Sequence, residues 1–221
     1  MTSTEPLVRW DWVLGHADEI WQRLLEHVTL ALLAVGIGFA LSFALALLVR
    51  RYRRLRTPVT RLAGVLYTIP SLALFSLLVP VTGLTPLTAE IGLVSYTLLI
   101  LIRSVLDGLQ SVPAEVRETA VGMGYTPWHL LWRVEIPLAI PVIVGGLRVA
   151  TVTTIGLVTV TALIGEGGFG YFILQGMQRF YTTPLIVGAT LSVALAILAD
   201  GLLVLTQRWV TPWARPRGKP A

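Results

Sequence analysis

Val28–Val49 is an unbroken run of 22 residues without a charge. As a helix rising about 1.5 Å per residue it measures about 33 Å, enough to cross a hydrocarbon layer of about 30 Å. Four further runs follow: Leu62–Val81, Ile91–Leu109, Leu138–Ile164 and Leu185–Leu205. Lipid offers the backbone no hydrogen bonds, so spans of this kind satisfy their own amides as helices. The expected fold is therefore all-α and polytopic, with about five transmembrane helices. Composition agrees. The chain is 55% hydrophobic and 13% charged, which excludes a disordered chain and leaves too little polar surface for a soluble globule.

The net charge of +5 is concentrated rather than spread. Six of the 17 basic residues lie at Arg50, Arg51, Arg53, Arg54, Arg56 and Arg61, and Arg208, Arg215, Arg217 and Lys219 close the chain. Basic flanks beside apolar spans mark the cytoplasmic side. The charge therefore reads as orientation and not as nucleic-acid binding. It puts the N-terminus outside and the C-terminus in the cytoplasm. Three regions follow. Residues 1–26 form an extracytoplasmic or interfacial segment, with Trp10, Trp12 and Trp21 among acidic residues. They have no basic start, so no cleaved signal peptide is expected. Residues 27–207 form the transmembrane domain, and 208–221 a basic, disordered tail.

Several features inside the spans carry expectations. Gly36 with Ala40, and Gly38 with Ser42, place small residues four apart, which lets helices approach closely. Pro70 and Pro80 predict a break near Tyr67–Ser71, whose freed carbonyls need donors from neighbouring helices. Arg103 and Asp107 stand four apart in the third span. A local ion pair is expected, with a contact to another subunit or to the transport path as the alternative.

Catalytic sets are missing. The sequence has no cysteine. His16, His27 and His129 fall in three separate regions, which argues against a histidine metal site. The run Gly165–Gly170 lacks the lysine of a phosphate-binding loop and is expected to bend back at the outer surface. The chain reads as a path or scaffold that uses no cofactor of its own.

Residues 111–137 form a cytoplasmic loop too polar to span. Pro113 starts a helix over Ala114–Val121, and Gly122 and Gly124 end it. Thr126 and Pro127 start a second helix, Trp128–Val134, which stops at Pro137. A short helix here can dock on a cytoplasmic motor. Glu118 offers a charge-assisted hydrogen bond. Ala120 permits close approach, Gly124 frees the turn, and Pro137 fixes the start of the next span.

The order Glu118-Thr119-Ala120, three residues, Gly124, nine residues, Val134-Glu135-Ile136-Pro137 resembles the EAA loop of permease subunits of ATP-binding-cassette importers. That loop reads E-A-A, three residues, G, nine residues, I-x-L-P; Thr119, Val134 and Ile136 depart from it conservatively. Over roughly 28–205 the chain is similar to permeases of glycine betaine, carnitine and choline uptake systems. Tyr67-Thr68-Ile69-Pro70-Ser71-Leu72-Ala73-Leu74, Gly122-Met123-Gly124-Tyr125-Thr126-Pro127, Pro137-Leu138-Ala139-Ile140-Pro141-Val142-Ile143 and Ala162-Leu163-Ile164-Gly165-Glu166-Gly167-Gly168-Phe169-Gly170 carry the likeness. Glu166 and Phe169 stand where that family commonly has Ala and Leu.

The resemblance implies a type I importer permease fold in a bacterial inner membrane. It implies import of quaternary ammonium osmoprotectants by alternating access. The implied partners are cytoplasmic ATPase subunits that bind the ATP, a second permease, identical or homologous, and a separate extracytoplasmic substrate-binding protein. It assigns coupling to Glu118, Thr119, Ala120, Gly124, Val134, Ile136 and Pro137. A quaternary ammonium has no N–H to donate, so aromatic faces suit it through cation–π attraction; Tyr67, Phe75 and Tyr96 are the candidate pathway residues. The alternatives are a permease for another small solute such as methionine, a secondary transporter or channel, which the lack of a visible repeat disfavours, and a scaffold without transport.

Overall fold

The first apolar run is the middle of a longer helix. In the computed structural model, which describes residues 7–214, helix α1 spans Trp10–Gly15 and α2 spans Ala17–Arg51. Arg215, Arg217 and Lys219 of the expected basic tail lie outside the described residues. The charged residues 18–26 continue α2 without a break. Trp12 of α1 stacks on His16 at 4.2 Å and meets Phe172 and Tyr181 edge-on at 5.7 and 6.4 Å. Trp12 is thus packed against residues of other segments, whereas Trp10 and Trp21 are exposed.

The expected break in the second span is present. Helix α3 covers Arg56–Thr68 and α4 covers Ser71–Thr82, and the two are bent by 97°. Pro70 provides no amide donor and forces Ile69 into an extended conformation at φ −66°, ψ 127°. The freed carbonyl of Ile69 accepts a hydrogen bond from the Tyr96 hydroxyl. Among the described residues four helices are long and apolar enough to cross a membrane, and this bent pair makes a fifth if counted as one span.

Helix α5, Pro86–Gln110, is the axis. Thirteen of its 25 residues are buried, against four of 29 in α10, Thr182–Val210. Two apolar clusters stack along it. The inner one, at the arginine-bearing end of α2, joins Ala46 and Val49 to Ile102 and Leu106, and to Ala139 and Ile143 of α8, Ile136–Val158. The outer one joins Leu30 and Ala34 to Phe75, Leu93 and Ile155. Gly38 and Ser42 face this axis and are buried, whereas Gly36 and Ala40 are exposed.

Residues 111–137 hold α6, Ala114–Gly122, and α7, Pro127–Leu130. The second loop helix does not stop at Pro137. A π turn over Leu131–Glu135 joins α7 directly to α8, Ile136–Val158, and a 3₁₀ segment extends that to Ile164. Pro137 sits in the first turn of α8, immediately after the π turn, and the helix runs on through it. Helix α9, Gly170–Arg179, then packs on α10.

Charges within the spans pair differently from the expectation. Arg103 and Asp107 form no ion pair with each other, and both are exposed. Arg148 of α8 instead grips Asp200 of α10 with two bonds, Nε–Oδ1 at 2.8 Å and Nη2–Oδ2 at 2.9 Å. A charge left alone in a span costs about 2.5–3.5 kcal/mol on insertion scales. The bidentate pair offsets that cost and ties α10, which has little buried surface, to α8.

Tyr96→Phe keeps the ring and removes the donor to Ile69. It is expected to cost about 1 kcal/mol, the net worth of one such bond, and to lower the thermal midpoint of the detergent-solubilised protein. An unchanged midpoint would show that the break needs no support from α5.

Candidate functional site

Helix α6 presents its charge outward. Glu118 and Thr119 are exposed, and the Thr119 hydroxyl folds back onto the Glu115 carbonyl at 2.7 Å. Ala120 points the other way and is 2% exposed. The helix ends in a Schellman closure: Tyr125 N–H donates to the Ala120 carbonyl at 3.1 Å and Gly124 N–H to that of Val121 at 2.9 Å. This closure requires a left-handed residue, and Gly124 supplies it at φ +84°. Thr126 then caps α7 by accepting from the His129 amide.

The structure brings part of the expected coupling set together. Thr119, Ala120 and Val134 line one groove of about 300 Å³ beside α6, with Val116, Met123 and Tyr125. Glu118 stands on the outer face of α6, Gly124 makes the bend, and Ile136 and Pro137 are half-buried in the first turn of α8.

Glu135, which occupies a variable position of the loop pattern, proves central. It is 4% exposed and meets Arg50 of α2 at 2.7 Å and Arg117 of α6 at 3.2 Å. Arg117 also donates to the Leu109 carbonyl at the end of α5. One carboxylate therefore links the inner ends of α2 and α8 to α6. No spacing in the sequence singles out Glu135 from Glu115 and Glu118 of the same loop; only the packed ends of α2 and α6 select it.

The candidate pathway aromatics separate. Tyr67 is 39% exposed and meets Tyr96 edge-on at 5.9 Å. Tyr96 is buried and engaged with Ile69. Phe75 is 2% exposed and lies in the outer cluster. Both carboxylate oxygens of Glu90, one turn before Leu93, are buried without a hydrogen-bond partner among the described residues, a feature no motif announced.

The outer end of α2 holds the glycine-rich run. Glu26 Oε1 accepts from the amides of Gly167 at 2.8 Å and Gly168 at 3.0 Å, while Arg23 pairs with Oε2 at 2.7 Å and lies 3.9 Å over the Tyr171 ring. His27 Nδ1 accepts from the Phe169 amide at 3.3 Å, so Nε2 carries the proton and donates to the Ile155 carbonyl at 3.0 Å. Gly168, at φ +49°, leaves no room for a side chain, since a Cβ would stand 2.4 Å from that of His27.

Glu166 sits at the edge of this clasp. Burial pushes its carboxyl above the ordinary value of 4.5, the charge of Glu26 adds to the shift, and Arg23 opposes it. A folded-state value raised in this way means that ionisation works against folding. Stability is full below about pH 4.5 and falls as pH rises through the folded value. Glu166→Gln is therefore expected to raise the thermal midpoint relative to the parent at pH 8, with the difference shrinking toward pH 4. Equal offsets at both pH values would remove the like-charge argument.

Relatives bear on this geometry. Residues 35–212 match the family described as binding-protein-dependent transport system inner membrane component. The chain is 38% identical to an osmoprotectant import permease protein of Salmonella typhimurium, over 91% of this chain and 96% of the relative. It is 33% identical to a glycine betaine/carnitine/choline transport system permease protein of Bacillus subtilis, over 89% and 91%. In fold it is similar to a methionine ABC transporter solved in inward-facing conformation, with a TM-score of 0.74 at 22% identity, covering 85% of this chain and 94% of that one. The chain belongs to the binding-protein-dependent transport system inner membrane component family, and it is a multi-pass inner-membrane permease subunit of an ABC importer.

Proposed function

We propose that this chain carries quaternary ammonium osmoprotectants such as glycine betaine, choline and carnitine inward by alternating access. In this reading, cytoplasmic ATPase subunits bind the ATP and drive it, and an extracytoplasmic binding protein delivers the substrate. The observation that carries the coupling role is the exposed, rigidly capped α6, ion-paired through Arg117 to Glu135 at the head of α8. A push on α6 then reaches α8, and through Arg50 it reaches α2. Glu118 is the charge offered to a basic residue of the ATPase, and the groove lined by Thr119, Ala120 and Val134 receives an apolar side chain beside it. The substrate class is supported by near-full-length similarity to permeases named for these solutes.

The arginine cluster at the inner end of α2 orients the chain with α6 in the cytoplasm and the glycine clasp outside. Tyr67 offers the accessible ring face for a quaternary ammonium, with Tyr96 against it and Phe75 further outward. A second permease, identical or homologous, covers Arg103 and Asp107, whose exposure to lipid would otherwise be costly.

Two measurements test this. Labelled glycine betaine, choline and carnitine uptake should return when the gene is restored to a strain lacking it, and should stop on ATP depletion. Restored uptake of methionine alone would overturn the substrate assignment. Glu118→Lys lies on an exposed helix face and should leave stability within about 0.5 kcal/mol. It should reduce uptake at least about tenfold by reversing one charge-assisted contact. Normal uptake would remove Glu118 from the docking face.

A further inference from the structure

Between the inner ends of α2 and α5 and the starts of α3 and α6 lies a cavity of about 630 Å³. Arg50, Arg53, Arg56 and Arg117 line it, with Glu135 as the one acid, so four positive charges less one negative leave +3. Glu135 is already divided between Arg50 and Arg117. Arg56 has a long bond of 3.3 Å to the neutral Gln110 side chain. Arg53 lines the same wall and enters none of the ion pairs among the described residues. The floor is apolar, with Leu106 from the inner core cluster.

Like charges gathered around one cavity repel, and an anion entering it relieves that repulsion. Guanidinium forks match phosphate oxygens in pairs, which a single carboxylate does not exhaust. The cavity also sits where the first span ends, and the cytoplasmic orientation proposed for the arginine cluster brings it to the headgroups of the inner leaflet. Basic pockets between spans on that side are suited to anionic headgroups. An apolar floor beneath a basic rim fits a phosphate attached to a glycerol and acyl chain.

We propose that this cavity is a phosphate-binding site, occupied by the phosphodiester of an anionic inner-leaflet lipid or by free phosphate. Its occupant competes with Glu135 for Arg117, and so sets how firmly α6 is held. The inference rests on the cytoplasmic orientation of the arginine cluster and is independent of the transported solute.

The test uses native mass spectrometry of the detergent-solubilised transporter, permease with its ATPase, mixed with phosphatidylglycerol or with phosphatidylcholine. Phosphatidylglycerol should be retained and phosphatidylcholine should not. Arg53→Gln/Arg56→Gln should weaken retention about 30-fold, the combined effect of two basic residues on attraction of an anionic lipid. Arg51→Gln/Arg54→Gln, in the same cluster but outside this cavity, should retain the lipid and serves as the control for folding and for general charge. Inorganic phosphate at about 10 mM that binds and displaces the lipid would assign the site to free phosphate; failure to displace it would assign the site to the headgroup. Equal retention of both lipids, equal loss in both double variants, or cross-linking that fills the cavity with an acidic side chain of the ATPase would overturn the proposal. The readout is binding, so it stands or falls apart from the uptake experiment.

Discussion

The shared carboxylate of Glu135 holds the inner half of this molecule together. It is nearly inaccessible, and it is at ion-pair distance from arginines at the end of α2 and in the middle of α6. The carboxylate is nearly buried while Arg50 and Arg117 each keep about a third of their side chains exposed, so losing both arginines would strand its charge, whereas losing Glu135 would leave theirs partly solvated. That makes the junction stiff. Without it α6 would keep the Arg117 bond to Leu109 of α5 and the packing of Ala120, but would lose its direct link to the head of α8.

The outer end is built on the same logic with a different chemistry. Glu26 and His27, neighbours on α2, take up the amides of three consecutive residues, Gly167, Gly168 and Phe169. A chain that turns sharply leaves amides without carbonyl partners, and buried amides are rarely left unpaired. Here a carboxylate and an imidazole take the place of a strand or helix. Helix α2 therefore anchors both ends of the α8 rod, by Arg50 inside and by Glu26 and His27 outside.

Much of this was legible from periodicity and punctuation. The apolar runs marked the spans, Pro70 marked the break, and Gly124 marked a bend that needs a positive φ. The partners were not legible. Glu26 and Gly167 are 141 residues apart, and Arg148 and Asp200 are 52 apart, so only the packed bundle selects them. Arg103 and Asp107 stand four apart and still did not pair; their order, base before acid, is the less favourable one along a helix. Pro137 looked like a stop, yet the rod runs on through it. The π turn before it left no mark in the composition.

That π turn, Leu131–Glu135, inserts one extra residue into an otherwise continuous rod. Each residue of an α-helix advances the winding by about 100°. A rod with one residue stored in it is a helix with slack: converting the turn to regular α winding would swivel α7, with its exposed Trp128, by about a quarter of a revolution relative to α8. Glu135 closes that turn, so its pairs with Arg50 and Arg117 act as a latch: while both stand, the stored residue cannot be spent.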